Sequence, residues 1–263
     1  MVAVYPEHVS RSARWSRRLA VFGVVLFLAA AAAHRFERLD TQSFILALGL
    51  VALVFASSIL AFVYAFYRMW NEGDRVGSNL AVAALVLLAG LTPFAATAYR
   101  GFTTPMLNDI TTDTESRPVL AVVRDRTPWM NAPRAMRESE AEAQLAAYPQ
   151  VIGHSYTLPG EKMAQIINGV VAARGWTVLR PFGSVAEGGS ATLNAVARSF
   201  LVGFPADVAI RIMDDGTATY VDMRSASRYG RHDFGDNAQR IRRFFADLDA
   251  AVLADAAKPQ VVQ

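Results

Sequence analysis

The chain has 263 residues, 53% hydrophobic and 19% charged, with no cysteine and a formal net charge of +3. The missing cysteines exclude disulfides, thiolate nucleophiles and Cys-ligated zinc. The basic balance does not mark a nucleic-acid reader. Residues 1–100 carry nine Arg against five acids, while 101–263 carry a net −1, and a phosphate-backbone reader needs its basic face on the folded domain.

The chain starts with a basic tail, residues 1–18, holding Arg11, Arg14, Arg17 and Arg18. The run Leu19 to Ala33 that follows reaches only about 22 Å as a helix, short of a hydrocarbon core of about 30 Å, so the span is drawn from about 15 to 36, between Trp15 and Phe36. Two further spans, 44–67 and 76–98, are long enough unaided, and Tyr64, Tyr67, Trp70 and Tyr99 suit interfacial aromatic belts. Pro93 is expected to kink or end the third helix.

The first run also has the form of a signal peptide, with Ala-x-Ala around Ala31 to Ala33. The side of the following domain is the same either way. Three crossings from a cytoplasmic basic tail, or two from a cleaved chain, both put residue 100 outside, and Arg68 and Arg75 fall in a cytoplasmic loop. Only Lys162 and Lys258 stand against many Arg and Ala, a bias of GC-rich bacterial genes. The expected location is a bacterial inner membrane, with the domain on its periplasmic or extracytoplasmic side. No acid, Lys or Arg lies mid-span, which argues against a transporter.

Residues 99–118 are polar and turn-rich, a linker or extended arm, and the soluble domain runs 119–256 with a short tail, 257–263. Glu138 to Ala147 has helical composition. Val151 to Leu158 predicts a strand, and Pro159 opens a helix to Arg174 with Met163, Ile166, Ile167, Val170 and Val171 on one face. Strands are predicted at Trp176 to Val185 and Ala191 to Leu201, around a Gly188-Gly189 turn. Asp207 to Asp214 and Thr217 to Ser227 flank Asp215-Gly216, a two-residue hairpin signal. That turn sets Ile212, Ile210 and Val208 opposite Thr219, Val221 and Met223. On the other face it sets Arg211 opposite Tyr220 and Asp207 opposite Arg224, with Asp222 diagonal to Arg211 and Arg224. A helix from Gly235 to Ala256 closes the chain, with Ile241, Phe244, Phe245, Leu248 and Val252 as its apolar stripe. The fold class is therefore a membrane protein: three N-terminal transmembrane helices, then a soluble α+β domain with an antiparallel sheet and a long C-terminal helix.

Four stretches carry a resemblance: Leu107 to Asp113 (LNDITTD), Tyr148-Pro149, Val221 to Gly230 (VDMRSASRYG) and Asp233 to Arg242 (DFGDNAQRIR). Together they resemble domain-of-unknown-function family 1499 over roughly Thr104 to Leu253. The resemblance implies a domain often attached to membrane segments and brings no established activity.

Two clusters are candidate sites. The charged hairpin face, Asp207, Arg211, Asp222 and Arg224, reads as a solvated ladder of ion pairs, the commoner state of an antiparallel face. It becomes a buried polar site if the arm with Asn108, Asp109 and Asp113 lies across it. Arg228, Arg231, Asp233, Gly235, Asn237, Arg240 and Arg243 gather at a helix start, a natural anion site, or else an N-cap by Asp233 or Asp236 with structural arginines. His154 and His232 read as isolated, and no nucleophile elbow, metal motif or Walker loop is present. No cofactor or metal is expected. The reading is a non-enzymatic envelope protein that binds a partner protein, lipid headgroup or small anionic ligand. The alternatives are a membrane-tethered hydrolase using the Asp/Arg cluster, and a lipid-binding helix-grip-like module with an apolar pocket between sheet and helix.

Overall fold

The computed structural model describes residues 10–121, 126–185 and 188–257. The chain divides into two compact units at Tyr99 and Arg100. The first is helical: α1 (Arg11–Arg35), α2 (Thr41–Glu72) and α3 (Ser78–Thr103), each long and apolar enough to cross a membrane. Side chains of Ser10 and Asp40 accept from Ala13 N and Ser43 N and cap α1 and α2, answering backbone donors that have no intrahelical partner. The Phe55 ring fills the space that Gly23 and Gly90 leave, and a Cβ at either would come within 2.8 Å of it. Small residues at such contacts let membrane helices approach closely. Ser16 and Ser58 exchange buried hydroxyl-to-carbonyl bonds of 3.0 and 2.8 Å. Pro93 lies inside α3, which continues to Thr103.

The second unit is an antiparallel sheet with helices. Its elements in order are β1 (Asp109–Thr111), α4 (Glu138–Ala147), β2 (His154–Tyr156), α5 (Gly160–Ala173), β3 (Thr177–Arg180), β4 (Ser190–Arg198), β5 (Pro205–Asp214), β6 (Thr219–Ser227) and α6 (Asp236–Ala256). The strand order is β1-β6-β5-β4-β3, and β2 also pairs with β6. The outer edge of β6 is shared by two short strands: β2 opposite Val221 to Thr219, and β1 opposite Ala226 to Arg224.

One face of the sheet buries Leu193, Val208, Ile210, Ile212, Val221 and Met223 against Met163, Ile167, Val170 and Val171 of α5 and Ile241, Phe244, Phe245 and Leu248 of α6. The helical and strand periodicities of the sequence meet in this core. The space between sheet and α6 is thus filled by side chains, where a helix-grip lipid module needs a pocket.

The hairpin register differs from expectation by two residues. Asp214 pairs with Thr219, Ile212 with Val221, Ile210 with Met223 and Arg211 with Asp222. The turn has four residues, not two, because the Asp215 carboxylate accepts from Thr217 N, Thr217 Oγ1 and Ala218 N at 2.7–2.9 Å. That local ring of bonds competes successfully with two more ladder positions. A shift of two keeps every side chain on its predicted face, so only the pairings change.

Candidate functional site

β5 and β6 turn Asp207, Arg211, Asp222 and Arg224 to the face away from α6. The segment after β1 crosses that face, so the ladder is not solvated: Asp207 is 4%, Asp222 7% and Arg224 7% exposed. The charges resolve into three triads, each joining the sheet's charged face to β1 or to the chain between β1 and α4. Asp109 binds Arg224 through two bonds of 3.0 and 2.8 Å and Arg117 at 2.5 Å. Arg211 lies between Asp113 at 2.8 Å and Asp222 at 2.7 Å, and also donates to Ser116 O. Asp207 lies between Arg126 at 2.5 Å and Arg228, whose Nε and Nη2 reach Oδ1 at 2.8 and 2.7 Å. Arg117 and Arg126 carried no sequence signal, since they sit in an aperiodic, Pro-containing stretch.

The electrostatics follow this geometry. Burial pushes the Arg117 guanidinium below its ordinary value, and the adjacent Asp109 only partly offsets that. Burial acts in the same direction on Arg211, but its bonds to Asp222 and Asp113 outweigh it and raise the group. For Asp113, burial is the largest influence and raises it, yet the combined bonds from Ser116, Arg211 and Glu115 hold it below the ordinary carboxylate range.

At the seam between β1 and β2, Thr112 closes the gap. Its Oγ1 accepts from Met223 N and donates to Asp222 Oδ1, both at 2.9 Å. On the other side a Cβ on Gly153 would stand 2.5 Å from Asp222 Oδ1, so the backbone approaches this carboxylate as only glycine allows. Gln144 of α4 covers the free edge of β1: its amide accepts from Thr111 N at 3.1 Å and donates to Thr111 O at 2.7 Å. Thr112, Gly153 and Gln144 were not predicted either, because their partners are distant in sequence.

The second cluster forms a cap. Asp233 Oδ1 accepts from Gly235 N and Oδ2 from Asn237 N, each at 2.9 Å, so a carboxylate of the chain itself occupies the start of α6. Burial raises Asp233 above the ordinary carboxylate range despite these bonds. Gly235 takes φ +78 and Phe234 φ +53; the non-glycine residue there costs about 1 kcal/mol or more. Asn237, with no exposure, uses every polar position of its amide. Its Oδ1 accepts from Ser225 Oγ and Arg240, and its Nδ2 donates to Asn108 O and Ser227 Oγ. Asn108 Nδ2 in turn reaches Gly230 O at 2.9 Å. Burial lowers the Arg240 guanidinium, with Asp236 and Asp233 opposing. Arg231 and Arg243 are exposed. The structure therefore brings Asn108, Asp233, Gly235, Asn237 and Arg240 together, assigns Arg228 to the Asp207 triad, and leaves Arg231 at the surface.

A family model described as a protein of unknown function (DUF1499) matches residues 109–248. The chain belongs to that family. The matched stretch opens on the first residue of β1 and closes on Leu248, a buried residue of α6, so it contains the whole sheet and α6 as far as Leu248. No match is found among curated proteins.

Of the two histidines read as isolated, His154 is not. Alternation along β2 puts His154 and Tyr156 on one face, towards α6, where Tyr156 donates to Asp249 at 2.6 Å and His154 Nδ1 lies 3.3 Å from the same oxygen. The His154 ring also stacks on Phe245 at 4.2 Å. Burial, then the bond to Asp249, pushes the Tyr156 hydroxyl well up, which holds it protonated. His232 accepts from Phe234 N and stacks on the Phe234 ring. Among the described residues, no group of three or more His, Cys, Asp or Glu is placed to hold a metal ion.

Proposed function

We propose that this is a bacterial inner-membrane protein whose DUF1499 domain stands on the non-cytoplasmic side and works there as a binding module, not as an enzyme. The observation that carries this reading is the closure of the three triads. Asp109, Asp113, Asp207 and Asp222 are each committed to at least one arginine, whereas a general base or nucleophile needs an oxygen free to meet substrate. At the start of α6 the N–H groups that a small anion would take are held by Asp233. Partner protein and lipid headgroup therefore remain as the ligand classes that this surface fits.

Two measurements test the proposal. A reporter active only outside the cytoplasm is expected to work when fused after Gln263 and to be silent when fused at Gly73; the opposite pattern overturns the topology. Asp222→Asn and Asp113→Asn separate binding module from enzyme. A structural carboxylate gives rescue of a deletion phenotype that falls in step with melting temperature. Full stability with no rescue from either variant would make the cluster catalytic and defeat the reading.

A further inference from the structure

Several large apolar side chains of the domain are exposed, and five of them gather at one end. The loop joining β4 to β5 shows Phe200 84% and Leu201 79% exposed, and Phe102, Met106 and Trp129 are 91%, 68% and 68% exposed. Their common location follows from pairing. Arg198 pairs with Pro205, and Ala206 with Ser227, so the loop projects from the end of the sheet where β6 finishes. Ser227 N donates to Asn108 O, and Asp233 N to Leu107 O, which places Met106 and the chain before it at that same end. Asn131 donates to Ser227 O and Gly230 O, bringing Trp129 there as well.

The loop is built, not slack. Ser199 N donates to Phe204 O, Gly203 N to Ser199 O and Phe204 N to Ser199 Oγ, at 2.9–3.1 Å. A fold gains nothing from holding two bulky apolar side chains in water at the tip of an ordered hairpin. This end is also where the chain enters the domain from the third apolar helix. No spacer intervenes: Arg100, the residue after Tyr99, already bonds Asp236 at 3.1 Å, and Thr104 packs against Gly235. The chain therefore tethers this end of the domain, through the consecutive residues Tyr99 and Arg100, to a stretch apolar enough to cross a membrane.

We propose that this end of the domain rests on the bilayer that the chain itself spans, with Phe200 and Leu201 inserted among the headgroups and upper acyl chains and Trp129, Phe102 and Met106 beside them. The occupant is lipid because the covalent tether fixes a bilayer at this end at high local concentration, and because Trp and Phe beside exposed Arg231 match the amphipathic interface. The inference rests on the premise, shared with the proposed function, that the domain stands at a membrane. The reporter fusions test that premise separately.

The chain has no cysteine, which allows single-site labelling of the full-length protein. Leu201→Cys and, as control, Leu253→Cys near the far end of α6 are labelled with an environment-sensitive dye and reconstituted in phosphatidylcholine/phosphatidylglycerol vesicles carrying headgroup-proximal spin-labelled lipid. The label at 201 is expected to shift to the blue and to be quenched several-fold more strongly than the label at 253. Equal, water-like spectra at both sites overturn the inference even where the reporters confirm the topology. A blue-shifted label at 201 without lipid quenching overturns it too, and assigns the loop to a protein partner or a second copy. Phe200 and Leu201 are exposed, so unchanged melting of the labelled variants confirms that the fold is intact.

Discussion

Arg228→Ala separates a structural tie from a ligand contact. Arg228 is 12% and Asp207 6% exposed at the side chain, and both Arg228 nitrogens fall on the same carboxylate oxygen at 2.7–2.8 Å. Breaking a buried pair so that its partner is left alone costs about 3–5 kcal/mol. Asp207 is not left alone, since Arg126 holds Oδ2 at 2.5 Å, so roughly 2–3 kcal/mol is expected. For a unit of this size each kcal/mol shifts melting by about 2–4 °C, which gives a drop of about 5–10 °C. The exposed Arg231→Ala is the control, with a change of about 1 °C or less expected. The assay is thermal unfolding of the full chain in detergent, followed through tryptophan emission, to which Trp176, stacked on Phe244, contributes from the core of the sheet domain. Phosphate is expected to leave the wild-type melt unchanged. An Arg228→Ala variant that melts with the wild type, together with a phosphate-induced stabilisation that the variant lacks, would refute the structural assignment and make Arg228 a ligand contact.

Four further outcomes follow from the same structure. Gly153→Ala is expected to lower melting by several degrees, because its Cβ would press on an Asp222 carboxylate pinned by Arg211 and Thr112, an overpacking cost of about 1–3 kcal/mol. Gly169→Ala, inside α5 with open space around its Cβ, is expected to raise it slightly, as alanine gains about 0.5–1 kcal/mol over glycine in a helix. Melting curves of the two variants check both signs. Glu140 lies below its ordinary pKa of 4.5 because of bonds from Arg134 and Arg137. Its contribution is therefore present above that value and lost as pH falls towards the lower folded value. Glu140→Gln is expected to flatten the acid limb of melting temperature against pH, and an unchanged limb refutes the assignment. A fragment beginning at Arg100, the first residue of the second unit, is expected to melt cooperatively without the spans, and a broad, non-cooperative transition would show that the apolar helices complete its core.

The elements legible in the sequence are those whose signal repeats. The three spans and the α6 stripe are such cases, because hydropathy and the 3.6-residue period accumulate over many turns. β1 is too short to show any alternation: three residues hold their place only because β6 and Gln144 supply partners on both sides. The hairpin faces were legible and its register was not, since alternation fixes parity while the Asp215 side-chain bonds fix turn length. The hardest feature was the burial of the charged face. An alternating Asp/Arg pattern reads the same wet or dry, and what decides is the path of residues 112–121 and 126–131, which have no period to read. His154 and Asp249 illustrate the same limit, a contact across 95 positions that neither residue announces.

Buried ion pairs contribute little net stability, because desolvation offsets most of their attraction. Three buried triads on one face therefore call for another explanation, and the geometry supplies it. Each triad has at least one member in the arm or at Arg126 after it, and at least one on β5, β6 or the turn after β6, and their signs alternate: Arg-Asp-Arg, Asp-Arg-Asp, Arg-Asp-Arg. Sliding the arm along the sheet would bring like charges together and take Asp109 away from the buried Arg224, a penalty far larger than the worth of any one pair. An apolar arm over an apolar face would bind as well in several registers. The triads thus specify one position for the arm, and that position carries β1, Gln144 and Asn108 to their partners. The stretches by which the chain resembles its family, LNDITTD, VDMRSASRYG and DFGDNAQRIR, supply most of these ties. They mark how the domain is fastened together, and the exposed Trp129, Phe200 and Leu201 all lie outside them.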